Sequence, residues 1–213
     1  DLTYSTVITA CERGGKFDKV LALYDEMIAE KISPDKITFV SVLGACVRSK
    51  NWKRAEEILE SMHADGLAGT SRVYTKLLEH YGVTAEWQKA LDLFLTMQIQ
   101  GLSVDRQTCR ALMSALESGK KPDMAIQLLE AMKEAKISAD AQTYNSALRT
   151  LAVCNRMDKV VCTMNEMDSL KIKITSETAN AILVACATSN KVTLGRQMMG
   201  KFAALGLSVD GST

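Results

Sequence analysis

Six cysteines, two histidines and 25 acidic residues are the side chains of this chain with the means to hold a metal or attack a bond. Their spacing argues against both. Cys11, Cys46, Cys109, Cys154, Cys162 and Cys186 form no C-x-x-C pair and have no histidine cluster beside them. They read as reduced core thiols of a reducing compartment. A zinc deaminase needs H-x-E and P-C-x-x-C around its metal, but His63 is followed by Ala64 and Asp65. No Walker loop and no G-x-S-x-G elbow occurs. A metal-dependent nuclease needs clustered inward carboxylates. Here Glu56, Glu57 and Glu60 fall along the expected solvated face of a helix. The chain is therefore read as non-catalytic, with no metal and no cofactor.

The elements that would position any other function follow from composition and period. Of 213 residues, 47% are apolar and only 5% aromatic, enough for a packed core. Two prolines and the lack of β-branched runs favour helix. No apolar run approaches the roughly 20 residues needed to span a bilayer. The chain starts at Asp1 in mid-pattern, as a cut within an array would.

Met27, Met62, Met97, Met132 and Met167 step by 35, and Phe202 takes the next step. Tyr4, Phe39, Tyr74, Cys109, Tyr144 and Ala179 keep the same step. So do Ile8, Leu43, Leu78, Met113, Leu148 and Leu183. Six windows result, 1–35, 36–70, 71–105, 106–140, 141–175 and 176–210, with 211–213 left as a tail or the start of a continuing chain. Each window predicts two helices. Tyr4, Val7, Ile8 and Cys11 make one apolar stripe, ended by Gly14 and Gly15. Val20, Leu23, Tyr24, Met27 and Ile28 make the next. Pro122 falls where a second helix starts, a position that costs no hydrogen bond. The small column at Ala55, Ala90 and Ala125 marks close helix contact. A helix pair of this size cannot bury its stripe alone, but stacked pairs can. The fold class is all-α, an α-solenoid of six helix-turn-helix repeats.

"LTYSTVITACERGGKFDKVLALYDEMIAEKISPD" and "AQTYNSALRTLAVCNRMDKVVCTMNEMDSLKIKIT" resemble pentatricopeptide repeats over essentially the whole chain. The likeness is strongest at Thr3-Tyr4 and Thr143-Tyr144, at Glu26-Met27 and Glu166-Met167, and at Ser33-Pro34-Asp35. The resemblance implies a right-handed superhelix with first helices lining the concave face. It implies single-stranded RNA as partner, in a mitochondrion or chloroplast, with one repeat per base.

In the family, the fifth and last residues of a repeat read the base and an aliphatic second residue sandwiches it. Carried over, Ser5 with Asp35 suggests a purine, leaning to G, Thr75 with Asp105 matches G, Asn145 with Thr175 leans to a pyrimidine, and Asn180 with Asp210 matches U. Val40 with Thr70 matches no familiar pair. Arg110 with Asp140 departs from the pattern, which suggests a phosphate contact for Arg110. Leu2 and Ile37 suit the sandwich. Gln107, Gln142 and Glu177 do not, and Arg72 would stack by its guanidinium plane. Residues 2 and 5 of a window share a helix face. At 100° per residue that face points away from the core stripe, so the readers are expected to be free of the core. Asp35, Asp105, Asp140 and Asp210 also stand where an acid caps a helix.

Net charge is only +1. Yet the first sixteen residues of the windows hold 14 Lys and Arg against 6 acids, and the remaining nineteen hold 12 against 19. A basic first-helix side suits a phosphate backbone. The rival reading is a protein-binding scaffold or structural subunit of a large complex, with partners on the convex face or at the ends. The last window carries Ile182, Leu183, Met198 and Phe202, so a further repeat or a partner is expected to cover that end.

Overall fold

A computed structural model describes residues 2–207, the side chains of Leu2 and Thr3 excepted. The described residues form twelve helices: α1 (Leu2–Arg13), α2 (Phe17–Ala29), α3 (Lys36–Arg48), α4 (Trp52–Ala64), α5 (Ser71–Thr84), α6 (Trp87–Ile99), α7 (Arg106–Ser118), α8 (Pro122–Glu134), α9 (Ala141–Val153), α10 (Met157–Ser169), α11 (Ser176–Thr188) and α12 (Val192–Ala204). No strand occurs among them. The fold is an all-α helical-repeat solenoid. Odd-numbered helices are the first of each pair and even-numbered helices the second.

Local chemistry sets the ends of these helices. Asp35, Asp105, Asp140 and Thr175 cap α3, α7, α9 and α11 through their side chains. Each removes an orphan N–H donor and contributes about 1 kcal/mol. Among the second helices, Asn51 caps α4 through its side chain, but four others begin differently. Lys16, Lys121, Arg156 and Lys191 hold the N-cap positions of α2, α8, α10 and α12 and make no side-chain cap. Pro122 opens α8, as its fixed backbone angle favours.

At the other end, helices close with an N–H that reaches back five residues. Ile32, Leu67, Leu102, Ile137, Ile172 and Leu207 donate to the carbonyls of Met27, Met62, Met97, Met132, Met167 and Phe202. The preceding residue then takes a left-handed backbone. Glycine supplies it at Gly66 and Gly101, but Lys31, Lys50, Lys120, Lys136 and Lys171 adopt it too.

The chain forms two compact units, Asp1–His80 with Asp92–Val104, and Tyr81–Leu91 with Asp105–Thr213. In the first, α1 packs on α2 and α3, and α3 on α2 and α4. In the second, α9 packs on α7, α8, α10 and α11, and α11 on α12. First helices therefore lie side by side within each unit. The methionine column and Phe202 are buried throughout, as are Ile8, Leu43, Leu78, Met113 and Leu148. Ala55, Ala90 and Ala125 are fully buried, as close helix contact requires.

Several expected core positions lie elsewhere. Val7 is 42% exposed, whereas Val42, Leu77, Leu112, Ala147 and Ile182 at the same step are buried. Val7 stands on α1, the first of the described helices. Ile28 is also exposed. Cys162 is exposed and Cys11 and Cys154 are half-buried, so only three of the six thiols are core. Cys162 stands in step with Glu57, Asp92 and Gln127, an outward column. At the last pair, Ile182, Met198 and Phe202 are already buried by their own neighbours, while Met199 is exposed.

Candidate nucleic-acid interface

The last-residue column does its capping with one oxygen. Asp35 Oδ1 accepts from both the Thr38 N–H and the Thr38 hydroxyl, each at 2.7 Å. Asp105 Oδ1 accepts from Thr108 N–H and Oγ1 at 2.8 Å each. Asp140 does the same with Thr143 at 2.9 and 2.8 Å. Thr38 donors hold the Asp35 carboxyl below its usual range, and Thr108 donors do so for Asp105. Burial pushes Asp140 upward, but Thr143, Arg110 and Arg106 together outweigh it. Asp35 and Asp105 stay exposed, whereas Asp140 is half-buried. Thr38, Thr108, Thr143 and Thr178 are themselves fully buried. This threonine column was not singled out from the sequence, although its 35-residue step was there to see.

Three of the six fifth residues are buried, which corrects the expectation that these side chains are free of the core. Ser5, Thr75 and Asn145 are 9%, 6% and 2% exposed, while Val40, Arg110 and Asn180 are half-buried. At Ser5 and Asn145, neighbouring first helices pack so closely that the side chain lies in the seam between them. Ser5 Oγ sits 2.8 Å from Thr38 Oγ1, so Ser5 and Asp35 meet on either side of one hydroxyl. Asn145 is bound more completely. Its amide nitrogen donates to the carbonyls of Ala141 at 2.6 Å and Lys173 at 3.1 Å. Its oxygen accepts the Thr175 N–H at 2.9 Å. Thr75 lies in the first unit and Asp105 in the second. Asn180 is half-buried. Asp210 and the side chain of Leu2 lie outside the described residues.

In the second-residue column Ile37 stands 62% exposed, and Arg72 is exposed as well. Val40 is half-buried in an open depression of about 250 Å³ in the first unit, lined also by Val47, Val73, Arg48, Arg72 and Lys76. Arg110 turns inward along the surface. Its Nη1 donates to Gln142 Oε1 at 3.3 Å and lies 4.0 Å from Asp140 Oδ2.

Much of the first-helix charge is compensated locally. Arg149 grips Glu117 through two parallel bonds of 2.6 and 3.0 Å, and reaches Ser146 and Thr178 as well. Arg48 pairs with Glu12. Neither pairing was anticipated, since each joins residues about one repeat apart. Among the described residues no cluster of three or more His, Cys, Asp or Glu could hold a metal. No described helix is long and apolar enough to cross a membrane.

This arrangement offers hydrogen bonds and charge. A PPR repeat family model matches residues 2–48, and a model described as pentatricopeptide repeat-containing protein matches residues 37–159. The chain belongs to the pentatricopeptide repeat family. No curated protein matches it. Among solved structures, the pentatricopeptide repeat protein PPR10 from maize is similar over 95% of this chain and 29% of its own, at 24% identity and a TM-score of 0.59. Nuclear proteinaceous RNase P 2 from A. thaliana is similar over 85% of this chain and 41% of its own, at 17% identity and 0.71. The PPR domain of Arabidopsis thaliana protein-only RNase P 1, solved in complex with tRNA, is similar over 97% and 91%, at 15% identity and 0.51. The chain thus spans less than half the length of the first two. At these identities the likeness is one of fold.

Proposed function

We propose that this chain is a non-catalytic module that binds single-stranded RNA along its first helices, within a factor of RNA processing, stabilisation or translation in a mitochondrion or chloroplast. The observation that carries the reading is the capping geometry at Asp35 and Asp105. Both threonine donors go to Oδ1, which fixes the carboxylate of an exposed residue; Oδ2 would accept from an outside donor. A guanine edge carries such donors, in keeping with G at the first and third repeats. Asn180 with Asp210 would take U, and Asn145 with Thr175 a pyrimidine. Leu2, Ile37, Arg72 and Arg110 would sandwich bases or meet the backbone. Family membership and the tRNA complex of a similar domain support RNA as the partner.

A protein-binding scaffold is the second reading. Asn145 has its amide groups committed to backbone, Arg149 is neutralised by Glu117, and Val153 and Val184 are exposed on first helices of the second unit.

The test is fluorescence anisotropy with a pool of short random single-stranded RNAs across a salt series, followed by sequencing of the bound fraction. Salt-sensitive binding with guanine enriched at one position is expected. Asp105→Asn keeps a capping oxygen but replaces the outward acceptor with an amide donor. It should relax that guanine preference by about tenfold. Absence of binding at low salt sinks the RNA reading and favours the scaffold.

A further inference from the structure

In the first unit the cations are not spread evenly along the first helices. They gather where first helices end and second helices begin. Arg13, Lys16, Lys19, Arg48, Lys50 and Lys53 are all exposed there, against two carboxylates, Glu12 and Asp18. Glu12 is already taken by Arg48. The opposite edge of the same unit holds Glu30, Asp35 and Asp65 against Lys31 and Lys36, so it has no such excess. The two turns of the basic edge are held together. Arg48, at the end of α3, lies over the Phe17 ring at the start of α2, 5.2 Å from its centroid. Its guanidinium also donates to the Glu12 carbonyl at 2.9 Å.

Local energetics oppose this placement. Lys16 stands at the N-cap of α2, where an acid or a small polar residue is favoured, and makes no cap. Lys50 holds a left-handed backbone with φ 57. That conformation is unfavourable for a non-glycine residue. Both cations thus stand where local preference does not favour them, and departures of that kind are found at functional surfaces.

The aromatic rings on this edge identify the partner. Single-stranded nucleic acid is held by stacking its bases on open aromatic faces. Here Phe17 is covered by Arg48, and Trp52 stacks on His80 at 4.4 Å with an interplanar angle of 11°. Each of these rings has a face taken by another side chain of the protein. What the edge offers most is a surplus of exposed cations, and that suits a partner showing phosphates outward with its bases already paired.

We propose that the basic edge of the first unit, through Lys16, Lys19, Lys50 and Lys53, binds the phosphate backbone of an RNA duplex, beside the first-helix face that it adjoins at Arg48. The choice of RNA as the nucleic acid rests on the function proposed above; the preference for a duplex rests on the edge itself.

The test measures binding of the whole chain to a 16-base-pair blunt RNA duplex and to a 12-nucleotide unstructured single strand. The probes are compared for the wild type and for a variant carrying Lys16→Gln, Lys19→Gln, Lys50→Gln and Lys53→Gln. The variant should lose about 10- to 100-fold in duplex affinity, with a shallower salt dependence. Its single-strand affinity should hold within about twofold, which also shows that it is folded. Unchanged duplex binding overturns the proposal. So does an equal loss for both RNAs, which would make these lysines part of one general field. Wild-type binding of the duplex without the single strand supports the edge site and overturns the groove reading. Binding of the single strand without the duplex does the reverse.

Discussion

At the residue scale, one side chain can serve structure and recognition together, and bond counting separates the two. Asn145 makes two donor bonds to carbonyls and accepts one N–H, all in a site 2% exposed. Asn145→Ala would leave the Thr175 N–H and the Lys173 carbonyl without this partner. A loss of about 2 kcal/mol is expected, read as a lower urea midpoint. A midpoint within error of the wild type would show that the amide is not structural. His63 makes a second residue-scale case. Its Nε2 lies 2.6 Å from the Tyr74 hydroxyl, which in turn donates to Gln100 Oε1 at 2.8 Å. Burial lowers the His63 pKa below its ordinary 6.5, with Glu60 pulling the other way. The unfolded chain therefore takes up the proton more readily. This contribution to stability is full above about pH 6.5 and is lost as pH falls through the lowered folded value. Urea midpoints at pH 7.5 and 5.5 should differ more for the wild type than for His63→Gln. Equal differences in the two proteins would refute it.

At the element scale, helix ends are the least optimised parts of the chain. First helices carry acid or threonine caps, while α2, α8, α10 and α12 start with an uncapping cation. Left-handed lysines close helices where glycine is free of steric cost. Lys50→Gly and Lys120→Gly should each stabilise the fold by about 0.5–1 kcal/mol, seen as a melting temperature higher by about 2–3 °C. A decrease would mean that these lysine side chains hold packing the backbone argument misses. Gly119, beside Lys120, is a different kind of glycine. Its backbone is ordinary, but an added Cβ would lie 2.4 Å from Trp87 Cγ. Here glycine answers a close approach, whereas Gly66 and Gly101 answer a left-handed turn.

At the scale of the whole molecule, stability is the sum of pairs and of contacts between neighbours. Leu148 is fully buried in α9, which packs on α7, α8, α10 and α11. Leu148→Ala should cost about 2–5 kcal/mol. In native-state hydrogen exchange, amides of α7 to α11 should open faster, while those of α1 to α3 keep their protection. Uniform acceleration along the chain would contradict nearest-neighbour coupling. The same nearest-neighbour logic explains Val7. Its column is apolar everywhere, yet Val7, on the first described helix, is exposed while the later members are buried.

The sequence by itself determined what depends on one window: the period, the two helices per window, the methionine column and the acid caps. These are set by side-chain pattern and by bonds three to five residues long, so they are legible without a neighbour. Only the tertiary structure decided what depends on two windows. It placed Ser5 and Asn145 in the seams between first helices, and buried Thr75, where a single-helix projection had left them free. It joined Arg149 to Glu117, and it set Arg48 over Phe17. The physical reason is the same in each case. A helical wheel gives a direction from one axis, while burial and charge pairing depend on where the next axis lies, and that is fixed by packing across the repeat.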